Sequence, residues 1–229
     1  MTDSQQTLTA LDELIRSRSI LQHPFYVAWQ KGELSREQLA TYARVYWPHV
    51  EAFPSYLEAA AHLTDDPVIR TVLEDNLNDE RTNPKPHPEL WLDFTETLGQ
   101  PREAIGNSTP HESAERIVET FTRLAGSSTA AGVAALYAYE VQQPEVAVQK
   151  RHGLREFYGI DDEKALAYFD VHAEADVAHS QGERTVLQRC LEAGNSSAEQ
   201  VLDAATDALD AYWALLDGVC EEAGLTVSS

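Results

Sequence analysis

Apolar residues recur at spacings of three and four along nearly the whole chain, and alternating apolar/polar runs are scarce, so the pattern predicts helices almost throughout. Thr7–Arg18 reads as a short amphipathic helix, and His23–Gln30 as a second, with Pro24 tolerated in its first turn and Gly32 as its stop. Ser35 opens a long helix through SREQLATYARVYWPHVEAFPSYLEAAAHL, in which Pro48 and Pro54 each remove a backbone donor and predict kinks. Pro67–Asn83 follows a TDD cap; the loop NPKP leads to a helix from about His87 to Leu98, and GQPREAIGNSTPHES reads as connector. Ala114–Leu124, Thr129–Val141 and Pro144–Tyr158 are three more helices, the last stopped by Gly159. Lys164–His179 continues to Leu191, and Ala198–Ala223 closes the pattern. No repeat or linker divides residues 1–229, so the expectation is all-α: a single-domain helical bundle of seven to nine helices.

Composition narrows the partners. A formal charge of −21, from 38 acidic against 17 Lys and Arg residues, repels phosphate backbones and anionic lipid, so nucleic acid is excluded as a partner class. The start MTDSQQ is polar and acidic, unlike a signal or transit peptide. The longest uncharged apolar stretch, Ala130–Tyr139, is half of the roughly 20 residues a membrane span needs. A soluble, cytoplasmic protein is expected. Cys190 and Cys220 lie in helical patterns without metal-type spacing and read as buried small apolar residues.

The candidate chemistry is concentrated in YFDVHAEADVAHS. At 100° per residue, His172, Asp176 and His179 fall within about 60° of one another on one helix face, while Glu174 points to the opposite side and reads as solvated. Taken alone, this spacing equally suits two histidines that fill core gaps beside an exposed acid. A second pair, Glu80 and His87, shares a face if the helix persists through NPKPH. Glu140 ends the apolar run AGVAALYAYE, where a carboxylate needs a partner, because burying it unpaired is costly. A helix-end salt bridge is the plainer reading of Glu140. Together the six residues bring three carboxylates and three imidazoles; two divalent cations would offset the −3 and leave one positive charge for an anionic ligand. Nitrogen and oxygen ligands without thiolate suit iron or manganese, with zinc left open by ligand type alone, and a pair of ions suits O2 activation or hydrolysis.

HPFYVAW, VYWPHVEAFPSYL, LYAYEVQQPEVAVQKRHGLREFYGI and FDVHAEADVAHS resemble the haem-oxygenase-like di-iron oxidases, the helical superfamily that also contains pyrroloquinoline quinone synthase C and thiaminase II. Within it the match is best to the CADD group (Chlamydia protein associating with death domains), which makes p-aminobenzoate for folate. The resemblance covers most of the chain. It implies a haem-oxygenase-like fold, a site of two metal ions (iron, or iron with manganese) held by Glu80, His87, Glu140, His172, Asp176 and His179, and a need for O2 and an external reductant. It also implies that the enzyme consumes itself: Tyr26 supplies the aromatic product, Lys150 the amino nitrogen, and Tyr42 and Tyr139 line the site and relay electrons. Val141 stands where that group would carry a small polar residue.

By residue type alone Tyr26 is core and Lys150 a solvated lysine, although Lys150 ends the apolar stretch VAVQ, where burial would favour the neutral, nucleophilic amine. Thiaminase II needs a pocket cysteine, and Cys190 and Cys220 lie outside the matching segments; the quinone synthase uses no metal. Two further readings stay open. One keeps the two ions but cleaves a C–C bond of an external amino acid or fatty acid, and the other is a helical protein-interaction module. Small molecules are the expected partners, and a homodimer is left open.

Only four of the cations are lysines (Lys31, Lys85, Lys150 and Lys164), and an acidic, lysine-poor surface suits a halophilic cytosol, where concentrated salt screens self-repulsion. The melting temperature should therefore be higher in molar KCl than in dilute buffer; equal values by circular dichroism would remove the halophile reading.

Overall fold

The computed structural model describes residues 2–225. Among these are eleven α-helices, one 3-10 turn at Ile20–Gln22 and no strand. In chain order the helices are α1 Asp3–Ser17, α2 Pro24–Lys31, α3 Arg36–His62, α4 Pro67–Thr82, α5 His87–Thr97, α6 Arg102–Gly106, α7 Glu112–Ser127, α8 Thr129–Glu140, α9 Gln143–Glu156, α10 Glu163–Glu192 and α11 Ala198–Glu222. Nine of them have eleven residues or more, as the periodicity predicts; α2 and α6 are the short ones. The α6 turn falls inside the stretch read as connector, because five residues are too few to show a period.

Local chemistry explains the boundaries. Thr2, Ser35 and Ser197 each form a reciprocal capping box with a glutamine three residues on, satisfying amide groups that a helix start leaves orphaned. Asp66 caps α4 ahead of Pro67, and Gly32, at φ 69°, ends α2 in the left-handed conformation a side chain resists. The long helix α3 passes through Pro48 and Pro54 unbroken. Each proline costs one hydrogen bond, and the surrounding core residues Trp47, His49, Val50, Phe53, Tyr56 and Leu57 are all buried. Between α4 and α5 the same residue type wins instead: Pro84 and Pro86 end the helix at Thr82, and a new one starts at His87 with Pro88 in its first turn.

The centre of the bundle is α8, buried along its whole length except Ala131. It packs against α7, α10, α11 and α3. Close approach depends on Gly132, where a Cβ would lie 2.9 Å from Ala125 Cα and 3.1 Å from Ala60 Cβ. The buried apolar residues form one contiguous cluster running from Leu8 to Cys220, with both cysteines inside it as free thiols. No helix among the described residues is long and apolar enough to cross a membrane. Because α8 is enclosed on every side, whatever its last residue presents is presented inside the protein.

Candidate metal centre

That last residue is Glu140. Around it the bundle gathers the end of α4, the start of α5 and one face of α10, so that all six predicted ligands meet as two triads: Glu80, His87 and His172, and Glu140, Asp176 and His179. In each triad one ligand atom per residue lies within 4.8 Å of the others, and all six side chains are buried. Glu80 and His87 lie on separate helices, as the loop expected at NPKP implies, and not on one continuous face. The break at NPKP folds His87 back instead, so that its Nδ1 stands 2.8 Å from Glu80 Oε1. Glu174 is exposed, as its position on the helix predicts.

Each histidine is oriented by an acceptor outside the triad. His87 Nε2 donates to the Asn83 carbonyl at 3.0 Å and His172 Nδ1 to the Tyr168 carbonyl at 2.6 Å. A carbonyl can only accept, so the proton is fixed on those nitrogens and the other nitrogen of each ring faces the triad. His179 Nε2 meets Asp79 Oδ2 at 3.2 Å, leaving Nδ1 at 3.3 Å from Asp176 Oδ1 and 3.4 Å from Glu140 Oε1. The Asn76 amide donates to both Glu140 oxygens, at 3.1 and 3.2 Å. An outer acceptor on one ring nitrogen with the other turned inward is the usual preparation of a histidine for a metal.

The electrostatics fit the same reading. Burial pushes Asp176 up to about 6, despite the opposing pull of His172 and His179. Burial acts against the charged histidines too, but Asp176 and Glu80 hold His172 at about 9, and Asp176 and Glu140 hold His179 at about 11. Burial would raise Glu80, yet the adjacent His172 and His87 imidazoles bring it down to about 2. Protons on imidazoles thus supply the positive charge that cations would otherwise bring. Among the six ligands two buried atoms remain without any hydrogen bond: His87 Nδ1, close to Glu80 but out of line with it, and Asp176 Oδ2. Orphaned atoms of this kind among oxygen and imidazole donors without thiolate suit iron or manganese. Glu80, Glu140, His172 and Asp176 line a cavity of about 10 Å³ bounded also by Val50, Phe53, Tyr139 and Tyr168, which is about the space a single water needs.

A second buried cluster holds the other predicted residues. Lys150 Nζ donates to Tyr42 Oη at 2.6 Å, and Tyr42 Oη lies 3.3 Å from Tyr26 Oη. The amine stands 4.9 Å from the centre of the Tyr26 ring, with the Tyr42, Tyr46 and Phe169 rings close by. Those rings favour an ammonium, but complete burial outweighs them and pushes Lys150 well below the usual lysine range. Tyr42 sits in this cluster and not on the wall of the metal cavity, where Tyr139 and Tyr168 stand.

Aromatic rings link the two clusters. Tyr168 lies 4.0 Å from His172 between ring centres, Trp91 4.8 Å from Tyr168, and Tyr42 5.6 Å from Trp91. Tyr46 bonds the hydroxyls of both Tyr139 and Tyr212 at 2.9 Å. Sequence reasoning missed Asn76, Asp79, Tyr46, Trp91, Tyr168 and Tyr212 as parts of the site. It also missed Glu183, which falls at the middle of the His172–Asp176–His179 stripe and is buried with neither carboxyl oxygen hydrogen-bonded. Helix phase alone would have found Glu183; the others carry no signal beyond helical packing.

Residues 40–213 match the family described as iron-containing redox enzymes. The chain belongs to that haem-oxygenase-like family. Among its relatives is the 4-aminobenzoate synthase of Chlamydia muridarum, 40% identical over 96% of this chain and 92% of its own. The 4-aminobenzoate synthase of Nitrosomonas europaea is 39% identical over 92% of this chain and 89% of its own. The fold is shared with a domain from Shewanella denitrificans described as having a heme oxygenase-like fold, at a TM-score of 0.74 and 15% identity over 95% of this chain and 90% of that one. In this member of an iron-containing redox enzyme family the two triads are the candidate metal site.

Two outcomes test the centre. Asp79→Asn, which weakens the acceptor behind His179, should lower metal affinity by about 10- to 100-fold in a manganese titration while leaving the far-ultraviolet spectrum unchanged. His172 and His179 keep a proton at neutral pH and must release it to ligate, so apparent affinity should rise between about pH 6 and pH 8; a flat profile would show that these nitrogens are not taken by the ion.

Proposed function

We propose that this enzyme makes p-aminobenzoate from its own side chains, with Tyr26 as the aromatic precursor and Lys150 as the amino donor. The observation that carries this reading is the buried pairing of an amine with a phenol: Lys150 Nζ faces the Tyr26 ring at 4.9 Å, and Tyr42 bridges the two polar ends. Burial pushes the Lys150 amine well below the usual lysine range and so favours the form that keeps its lone pair for bond formation. The names of the relatives at about 40% identity support the product, and the family description supports oxidative chemistry.

Two ions in the triads, iron or iron with manganese, supply O2-dependent oxidation when bound, with electrons from an external reductant. The protein's own groups do the rest. Glu80, His87, Glu140, His172, Asp176 and His179 hold the ions. Tyr139 and Tyr168 wall the cavity and, with Trp91 and Tyr46, fill the space between it and Tyr26 with oxidisable rings in near contact. Burial raises Tyr26, Tyr42 and Tyr139 well above the ordinary phenol range, so each keeps its proton until it loses an electron. The ring and Cβ of Tyr26 correspond to the ring and carboxyl carbon of the product.

The size of the cavity weighs against an external substrate. Space for about one water among the ligands does not admit a fatty acid or an amino acid, whereas Tyr26 is already inside the protein. No observation favours an interaction module.

Protein loaded with iron and manganese and given a reductant and O2 should release less than one equivalent of p-aminobenzoate and lose mass at a single tyrosine. Tyr26→Phe should yield none, and Lys150→Arg should fall to background while still binding both ions. Product formed over many turnovers, or undiminished in Tyr26→Phe, would exclude self-sacrifice.

A further inference from the structure

Glu183 is 1% exposed, and no donor among the described residues bonds either of its carboxyl oxygens. It lies four residues beyond His179 and seven beyond Asp176 on α10, at the centre of the stripe those ligands form. The carboxyls of Glu140 and Asp176 both act on it. The neighbouring Arg184 turns away to Asp12. Two carboxyls buried together without another donor cost stability unless a proton or a cation lies between them. The position of Glu183 needs such a reason.

We propose that Glu183 is a further ligand of the second ion, completing Glu140, Asp176 and His179 as a site of three carboxylates and one imidazole. This inference rests on the two-ion reading above. Charge supports it independently: Glu80, Glu140, Asp176 and Glu183 together carry −4 when ionised, which two divalent cations neutralise, whereas the six-ligand set leaves the buried centre with a net positive charge. Four carboxylates are also the complement that ferritin-like helical bundles assemble around paired iron or manganese. The two halves then differ. The Glu80–His87–His172 triad is rich in nitrogen, and the Glu183 half is rich in oxygen and favours the harder ion.

Metal-free wild type and Glu183→Gln are titrated with manganese(II) under argon, with free ion followed by paramagnetic resonance, bound ion by elemental analysis, and melting temperature recorded with and without metal. The glutamine keeps the shape and deletes the buried charge, so the metal-free variant should melt no lower than wild type. It should retain one ion, bind the second about tenfold or more weakly, and show a smaller rise in melting temperature on loading. Two ions held equally well by both proteins would overturn Glu183 as a ligand and leave the two-ion centre standing; a wild type that binds no ion overturns both. Anomalous diffraction from manganese-loaded wild type decides the matter without a variant. A Glu183 oxygen in the coordination sphere is expected, and a Glu183 that contacts only the Glu140 carboxyl refutes the assignment.

Discussion

The structure is organised around the cost of burying charge. In a helical bundle the interior is apolar, and an ionised carboxylate brought there without a partner is penalised on the order of several kcal/mol. Here Glu80, Glu140, Asp176 and Glu183 are all inside, on α4, α8 and α10, with His87, His172 and His179 among them. In the metal-free protein His172 and His179 compensate by holding protons they would otherwise release near neutral pH. The arrangement makes chemical sense as a receptor for cations, and the family to which the chain belongs is described as iron-containing.

The same constraint shapes the second cluster with the opposite result. Lys150 is buried among aromatic rings without a carboxylate to hold its proton, so burial pushes it well below the usual lysine range and favours the neutral amine. Had an acid faced it, the amine would be an ammonium and chemically inert. The segregation of acids to one side of the rings and the only buried lysine to the other therefore sets what each cluster can do. Trp91, Tyr46 and Tyr168 occupy the space between as a continuous aromatic layer, which keeps water out of both.

Enclosure follows from helix packing. Because α8 has no solvent-facing side, its C-terminal residue, Glu140, is delivered to the interior together with Tyr139, and Gly132 permits the close contact with α7 and α3 that holds α8 there. The price of that enclosure is a cavity with little free volume, which favours a substrate that belongs to the chain itself.

Helix existence, phase and most ends were readable in the residues, because a 3.6-residue period and the capping chemistry of Ser35, Asp66 and Gly32 act locally. The stripe of His172, Asp176 and His179 was readable for the same reason, and Glu183 belonged to it by phase. The meeting of Glu80 with His87 was not. It came from a chain reversal at NPKP and not from a continuous helix, and local pattern does not give the direction of such a reversal. Nor did any spacing indicate that Asp79 and Asn76 would support His179 and Glu140, or that Trp91 would stand between Tyr168 and Tyr42, since those contacts join helices far apart in sequence. The chain by itself determined which segments are helices and which of their faces are apolar. Only the packing of those faces decided which polar groups lost water together, and that loss is what gives the carboxylates, the imidazoles and the lysine their chemistry.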